Sequence, residues 1–110
     1  MLDSDFFPPS HLLNDLFVTA LESGVNYWAL VNDYSYKDCS ATIIDKEALQ
    51  PAEYKVNLTT INRGLQILYL HSKNSELSKK RVSSILNQDY DAEDADVVLQ
   101  YGLFGELIYG

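Results

Sequence analysis

Residues 89–110, DYDAEDADVVLQYGLFGELIYG, begin with a run of acidic side chains and continue as an almost entirely apolar segment. From Val97 to Tyr109 the only strongly polar side chains are Gln100 and Glu106, so most of this part is expected to be buried. The acids stand at the start, where the positive end of a helix dipole favours negative charge. The stretch predicts a central C-terminal helix with an acidic N-terminal end, around which the rest of the chain packs.

The start of this helix has a capping pattern. Asp91 is the best N-cap candidate, and Asp94 stands three residues further along, as in a capping box. Apolar side chains then recur along one stripe at helical spacing: Val97, Tyr101, Phe104 and Ile108. Other apolar residues fill most of the remaining surface, which is typical of a buried helix. Gly102 and Gly105 predict a slot where another backbone approaches closely.

The other end of the chain predicts an extended arm followed by a helix. The two prolines within residues 1–9 disfavour a helix there, and Phe6-Phe7 are expected to dock on the body as an anchor. Ser10 is the expected N-cap of a helix over residues 11–23, whose apolar side chains recur every three or four positions. Gly24 is expected to end it as a C-terminal glycine cap.

Between these helices the sequence changes to strand character. Residues 25–36 and 40–45 are aromatic and β-branched, which predicts an antiparallel hairpin, and residues 54–57 are a candidate third strand. Asn57 and Ser75 are the expected N-caps of two further helices. Gly64 lies inside the first of them and predicts close packing against a neighbour, because a helix-interior glycine costs roughly 1 kcal/mol relative to alanine. The predicted fold is a single α+β domain over residues 1–110, in which a hairpin or three-stranded antiparallel sheet packs with about four helices in the order α-β-β-(β)-α-α-α.

The net charge of −8 is concentrated at the two ends of the chain. Residues 1–36 hold five acids and residues 82–110 hold six, and neither part has a Lys or Arg. All eight bases lie in residues 37–81 beside five acids, so the three parts carry −5, +3 and −6. Direct nucleic-acid binding needs a basic footprint and is not expected. If the acidic ends meet, they form one negative surface that attracts a basic partner; otherwise the charge serves solubility.

The candidate partner-binding residues come from two places. The acidic run contributes carboxylates, and the hairpin contributes one carboxylate and two aromatic rings of the kind that anchor protein interfaces. The candidates are Asp89, Asp91, Glu93, Asp94, Asp96, Asp33, Tyr34 and Tyr36. Capping accounts for Asp91 and Asp94. The acids expected to be most free to meet a partner are therefore Asp89, Glu93 and Asp96.

The acidic run also resembles the start of a calcium loop. Asp89, Asp91 and Glu93 have the spacing of its first three ligands. The sixth position, which should be glycine, is Asp94, and the twelfth, which should be a bidentate acid, is Gln100. Helix capping explains the same residues, so no metal site is expected.

No residue pattern indicates catalysis or cofactor binding. His11 is expected on a surface helix and His71 in a polar loop, and neither stands beside a group that suggests general-base work. Cys39 has no neighbouring His or helix N-terminus in sequence that would activate its thiol. The chain contains neither G-x-G-x-x-G nor a P-loop. We expect a non-catalytic protein without a cofactor, and a small enzyme is the least favoured alternative.

The expected location is the cytoplasm. The single cysteine cannot form an internal disulfide, which fits a reducing compartment. Residues 1–10, MLDSDFFPPS, carry acids where a signal peptide needs bases. No apolar run approaches the ~18–20 residues of a membrane span, so membrane contact is not expected.

Two segments resemble a known family. Residues 23–28, SGVNYW, and residues 94–98, DADVV, leading into residues 103–110, LFGELIYG, are similar to small uncharacterised proteins of bacteriophages and their hosts. That family commonly shows an early Gly-x-x-Tyr-Trp element and a late Asp-Ala-Asp stretch followed by Leu-Phe-Gly-Glu. The resemblance implies a mobile-element origin and carries over no established activity. Small acidic proteins of such origin often inhibit host defence enzymes, some by imitating the negative surface of DNA.

Two hypotheses about function follow. The first is a small acidic binding module that presents its acidic ends to a basic partner protein, such as a host nucleic-acid-handling or defence enzyme, and inhibits it, with DNA mimicry as one possible means. The second is a structural or assembly protein that forms a homo-oligomer, with a homodimer as its simplest form, through the aromatic hairpin and the C-terminal end.

Overall fold

The first helix follows directly on the two prolines. In the computed structural model, which describes residues 6–110, helix α1 spans Ser10–Thr19 and continues through one π-helical turn, Ala20–Gly24. The expectation that Ser10 caps this helix was wrong: Pro9 holds the N-cap position in an extended conformation, and no side chain caps the helix. The helix begins instead through its backbone, because the carbonyl of Pro9 accepts hydrogen bonds from the amides of Leu12 and Leu13.

Gly24 does not have the role expected of it. The helix does not end at a left-handed glycine; its last bond runs from the amide of Val25 to the carbonyl of Ala20. Gly24 is buried, and a Cβ at this position would lie 2.8 Å from the carbonyl oxygen of Ala92. The glycine therefore lets the end of the first helix touch the start of the last one.

A three-stranded antiparallel sheet follows, in the order β1-β2-β3. The strands are β1 (Ala29–Ser35), β2 (Ser40–Asp45) and β3 (Ala52–Asn57). The third strand, which the sequence suggested only as an option, is present and begins two residues earlier than expected. A bulge interrupts the β1–β2 register between Asn32 and Ser35, and Asp33 within it has a φ of 51°. The bulge changes the face of the sheet to which the following side chains point.

Three further helices complete the predicted α+β order: α2 (Leu58–His71), α3 (Glu76–Leu86) and α4 (Ala92–Phe104). The three expected caps are confirmed. Asn57 accepts a hydrogen bond from the amide of Thr60, Ser75 accepts one from Ser78, and Asp91 accepts one from Asp94. The caps of α2 and α4 are full capping boxes, because each third residue also bonds back to the cap amide.

The last helix is shorter than its sequence predicts. We expected helix through Tyr109, but α4 ends at Phe104, where Gly105 takes the left-handed conformation with a φ of 74°. Residues 105–110, which we call the return segment, leave the helix and fold back toward the sheet. Gly105 is thus a helix terminator and not part of a packing slot, and Ile108 is exposed instead of extending the apolar stripe.

Helices α2 and α4 form the centre of the fold, and two glycines allow their close contact. A Cβ on Gly64 would lie 1.8 Å from the carbonyl oxygen of Val98, and one on Gly102 would lie 2.1 Å from that of Thr60. Neither backbone could accept any side chain at these points. The expectation of close packing at Gly64 is confirmed, and α4 is the central helix that its composition indicated, with six consecutive buried residues from 95 to 100.

The arm before α1 docks through one of its two phenylalanines. Phe6 is buried and stacks on Tyr69 at 4.2 Å between ring centroids, and its carbonyl accepts a hydrogen bond from Gln66. Phe7 is 81% exposed, so the expected anchor is Phe6 alone. Residues 1–5 of the predicted arm, with Asp3 and Asp5, lie outside the described residues. Among residues 6–110, no helix has both the length and the apolar character needed to cross a bilayer.

Candidate functional site

Asp96 is the central residue of the candidate site, and it does not face a partner as expected. Its carboxylate is buried, with the residue only 3% exposed, because α4 is turned so that this position points into the body. A buried carboxylate needs hydrogen bonds or a cation to compensate for lost hydration. Asp96 receives only neutral donors, which come from the segment after α1 and from one turn further along α4.

The first donors are two neighbouring aromatic residues just before β1. Trp28 Nε1 donates to Asp96 Oδ1 at 2.8 Å, and the hydroxyl of Tyr27 donates to Oδ2 at 2.5 Å. Trp28 is fully buried, whereas the ring of Tyr27 is half-exposed. Burial, together with the hydrogen bond to Asp96, raises the pKa of Tyr27 to about 12. The phenol is therefore a fixed proton donor to this carboxylate at neutral pH.

Gln100 connects Asp96 to the return segment. Its side-chain nitrogen lies 3.0 and 3.1 Å from the two carboxylate oxygens of Asp96 and 3.2 Å from the carbonyl oxygen of Tyr109. Its side-chain oxygen accepts from the amides of Ile108 and Tyr109 at 2.9 and 2.8 Å. This fully buried amide is therefore satisfied on both sides, and it fixes the backbone of residues 108–109 against α4.

Tyr109 completes the network on the sheet side. Its ring stacks on Trp28 at 5.1 Å between centroids, and its hydroxyl donates to Asp45 Oδ2 at 2.6 Å. The hydrogen bond to Asp45 raises the pKa of Tyr109 to about 12. The other oxygen of Asp45 accepts from the amides of Glu47 and Ala48, so this second buried carboxylate is also satisfied without a cation.

A cleft of about 340 Å³ lies beside this network, between the π-helical turn, the start of α4 and the return segment. Asp96 and Tyr27 line it together with the exposed Glu93 and the partly buried Arg81. Apolar lining comes from Val97 and from the return segment. The cleft is a mixed aromatic and charged surface, and its wall on one side is the segment that Gln100 holds in place.

Arg81 neutralises part of the acidic run. Its guanidinium donates to Asp94 Oδ1 at 2.7 Å and to Glu93 Oε2 at 3.1 Å. Burial alone would lower the pKa of Arg81, but these two carboxylates outweigh it and raise that pKa above the ordinary value. Arg81 and Asp94 are mostly buried side chains, at 15% and 13% exposure, while Glu93 is open. Asp94 is therefore a structural residue, with both a capping bond and an ion pair.

The remaining acids of the run lie next to the first helix. Tyr90 stands between Asp89 and Asp91, and burial, together with the negative charge of Asp15 on α1, raises its pKa. Asp15 is therefore close to this corner of the molecule. We call the four exposed carboxylates around the start of α4 the acidic corner: Asp15, Asp89, Asp91 and Glu93. Within residues 6–110, Arg81 is the only cation that forms an ion pair with any of them.

The three candidates from the hairpin are not part of this corner. Tyr34 is partly buried, stacks on Phe17 and donates to Glu22 at 2.6 Å, so it packs the sheet against the first helix. Asp33 lies in the bulge and is exposed, and Tyr36 is 67% exposed. No contact within the described residues joins Asp33 or Tyr36 to the acids near α4. The eight predicted residues thus form no single site.

Sequence reasoning missed the partners that organise the site. Arg81, Gln100, Asp45 and Tyr109 were not predicted as site residues, although each contacts a buried or partly buried carboxylate or is itself one. One signal was present: Gln100 is a polar residue in an apolar helix, four positions after Asp96, and such residues share a face. The contacts of Asp45 and Tyr109 carried no local signal, since 64 residues separate them.

Other reactive side chains are placed apart from this site. The thiol of Cys39 donates to Asn14 Oδ1 at 3.1 Å, and His71, at the end of α2, stacks on Tyr101. The prediction that His71 lies in a polar loop was wrong, although it is exposed. Among residues 6–110, no group of three His, Cys, Asp or Glu side chains is arranged to hold a metal ion.

Comparison with known proteins gives no relative from which a role could be carried over. No family model matches the chain, and neither a curated protein nor a solved structure matches it. Residues 23–28 and 94–98 are in contact although they are far apart in sequence, because residues 27 and 28 of the first segment bond to Asp96 of the second.

Proposed function

We propose that this protein is a non-catalytic binding module that presents its acidic corner to a basic surface of a partner protein. One observation carries the proposal: Asp15, from the first acid-rich end of the chain, acts electrostatically on Tyr90, which lies between Asp89 and Asp91 of the other acid-rich end. One acid of the first acid-rich end therefore lies near the acids of the other end. Their charges add at one place on the surface instead of being dispersed.

The local balance of charge at this corner is negative. Asp15, Asp89 and Asp91 form no ion pair within the described residues, and Glu93 shares the single charge of Arg81 with Asp94. A surplus of exposed carboxylates steers a positively charged partner and repels nucleic acid. Nucleic-acid-handling and defence enzymes carry basic surfaces that bind phosphates. Such an enzyme would be inhibited if the acidic corner occupied the place of the phosphates.

Charge reversal at the corner tests the proposal. Asp15→Lys with Asp89→Lys changes two exposed acids and leaves the capping box of α4 intact. The matched control is Glu53→Lys with Glu47→Lys, which reverses two exposed acids near the sheet. Each chain is immobilised and used to capture proteins from a bacterial lysate, and each captured protein is then purified and assayed by salt titration and by competition with duplex DNA.

We expect a basic protein to be captured by the native chain and by the control pair, and to be lost with the corner pair. Its affinity should fall steeply as salt rises from about 50 to about 500 mM, because exposed charges are screened. Duplex DNA should compete for it. Equal capture by the corner pair, or binding that does not change with salt, would contradict the proposal.

A second candidate function, homo-oligomer assembly, has its own observation in the sheet. β1 is an edge strand, and Leu30 on it is 53% exposed. Leu30 pairs across the sheet with Ile44, which is only partly buried, so an apolar patch lies on the outer face. Light scattering of the native chain and of Leu30→Lys tests it: a stable dimer that the substitution dissolves would favour assembly, and a native monomer would exclude it.

A further inference from the structure

The return segment is bound to the body as a peptide is bound to a receptor. Three buried side chains of the body contact it: Gln100 on α4, Asp45 at the end of β2, and Trp28 before β1. Gln100 pairs with two amides and one carbonyl of residues 108–109 and touches none of their side-chain polar groups. This is recognition of backbone groups, and main-chain hydrogen bonds are a usual source of affinity in peptide-binding grooves.

Specificity in this groove comes from one tyrosine. The ring of Tyr109 stacks on Trp28, and its hydroxyl reaches a carboxylate oxygen of Asp45 at 2.6 Å. Asp45 is buried, so an occupant without a hydroxyl would leave that oxygen without its donor. By contrast, Leu107 and Ile108 are both about half exposed, and their side chains contribute little to the fit. The groove therefore selects a segment that carries a tyrosine.

The return segment is attached in a way that allows it to leave. It joins α4 at Gly105, which has a left-handed backbone conformation. A Cβ built on this glycine would meet no atom within 4 Å. Rotation at this residue moves residues 106–110 without disturbing the helix, which is held by its own capping and packing. Apart from Tyr109, the segment has few buried apolar contacts, since residues 106–108 are exposed, and such a segment opens at a lower free energy than the body unfolds.

If the return segment left, three buried groups of the body would lose their partners and would need new ones. Gln100 would lose three backbone partners, Asp45 would lose a phenol, and Trp28 would lose its stacked ring. The adjoining cleft, which the return segment also lines, holds the carboxylates of Glu93 and Asp96 and one cation, Arg81, which pairs with Glu93 and leaves the cleft with a surplus of negative charge. A replacement that carries positive charge beside its tyrosine would gain from both features.

We propose that this groove is a peptide-binding site in which the return segment is an internal, displaceable ligand, and that a partner protein occupies it with a basic, tyrosine-containing segment. The inference rests on the proposed function in naming a basic partner. The partner must compete with a segment that is tethered at high effective concentration, so the acidic corner and the groove are expected to act together.

The test uses the full chain, isotope-labelled for amide NMR, and short unlabelled peptides blocked at both ends. The probe is Lys-Leu-Ile-Tyr-Gly, which repeats residues 106–110 with Lys in place of Glu. One comparison peptide keeps the Glu, and a second replaces the Tyr by Phe. We expect the probe to shift the amide signals of residues 107–109 to random-coil positions, saturably, while the indole signal of Trp28 moves to a new folded position.

The relative affinities of the three peptides test the proposed contacts. The Phe peptide should bind about tenfold more weakly, as expected for loss of a hydrogen bond to a charged group. The Glu peptide should also bind more weakly than the probe, and the difference between the two should shrink at high salt. Equal binding of all three peptides would show non-specific association and would overturn the inference.

The return segment could outcompete the added peptide, and a variant of the full chain with a weaker return segment addresses this case. Tyr109→Phe weakens the internal ligand and should raise the apparent affinity for the probe several-fold. Ile108→Ala, which changes an exposed side chain of the same segment outside the cleft lining, should leave it unchanged. If the probe fails to displace residues 107–109 even in Tyr109→Phe, the groove does not exchange its ligand.

The two proposals can fail separately. Capture that depends on the acidic corner, combined with no displacement by the probe, would overturn the groove and leave the proposed function standing. Displacement by the probe, combined with capture that ignores charge reversal at the corner, would overturn the proposed function and support a groove that recognises tyrosine segments by itself.

Discussion

The indole nitrogen of Trp28 donates a 2.8 Å hydrogen bond to Asp96, across 68 residues of sequence. It joins the segment that precedes the sheet to the central helix, and both groups are buried. Tyr27 and Gln100 bond to the same carboxylate, so four residues from two distant segments share one polar centre. This centre fixes the cleft and the start of the return segment, and its integrity can be measured through the single tryptophan.

Asp96→Ala should destabilise the fold by about 2–4 kcal/mol, because it leaves the buried indole N–H of Trp28 without a partner and frees the amide of Gln100. Urea unfolding followed by Trp28 fluorescence measures the change. Asp89→Ala is the matched control on the exposed side of the same acidic run and should stay within about 0.5 kcal/mol of the native chain. A loss below about 1 kcal/mol for Asp96→Ala would mean that the carboxylate is not a structural centre.

Gly64→Ala should lower the free energy of unfolding by at least about 2 kcal/mol, although alanine favours helix by about 1 kcal/mol. The added methyl would lie 1.8 Å from the carbonyl of Val98, and a backbone contact of that kind is relieved only by moving α2 away from α4. Gly105→Ala meets no neighbouring atom and loses only what its left-handed conformation costs, about 1 kcal/mol. Equal losses for the two variants would contradict the close helix contact.

Arg81→Gln should cost about 1–3 kcal/mol, since Asp94 is mostly buried and would lose its cation. Lys79→Gln is the control, because its pair with Glu76 is exposed on both sides and should be worth less than about 0.5 kcal/mol. Arg81→Gln also makes the acidic corner more negative. If the proposed function holds, the variant should bind a basic partner more tightly at low salt, and weaker binding would count against it.

The stability of the protein should fall as pH rises from about 10 to about 12. Tyr27, Tyr34 and Tyr109 each have a pKa raised to about 12 in the folded state. Between these two pH values the unfolded chain has lost the phenol protons that the native chain still keeps. The stabilisation from these tyrosines is therefore complete below pH of about 10 and is lost progressively as the pH rises to about 12. The urea midpoint as a function of pH measures the loss. Tyr27→Phe should flatten the curve, because it removes one of the three groups whose pKa is raised on folding.

Local pattern determined most of the secondary structure. The caps at Asn57, Ser75 and Asp91 were predicted because a cap depends on residues within one helical turn. The tight packing at Gly64 also followed from sequence, since a glycine inside a helix is costly unless a neighbour comes close. The predictions at Ser10, Gly24 and residues 105–109 were wrong for one reason: a helix boundary can move without any change in the spacing of apolar residues. Proline moved the first boundary, a π-helical turn the second and a left-handed glycine the third.

The candidate site was decided by tertiary structure. From the sequence alone, Asp96 belongs to the same acidic run as Asp89 and Glu93, and the one signal that sets it apart is Gln100, four positions later on the same helix face. Which way it points depends on how α4 is rotated against α2, and that rotation is set by backbone contacts at Gly64 and Gly102.

The polarity of residues 89–110 was therefore readable from the sequence, but the roles of its acids were not. The carboxylate of Asp96 is buried and bonds to Trp28. Glu93 and Asp94 form ion pairs with Arg81, and Asp89 is exposed. Composition and period fix which segments are helices and strands, because those are local properties. Partners that lie more than sixty residues apart are chosen only when the segments pack, since their hydrogen bonds exist only in the folded chain.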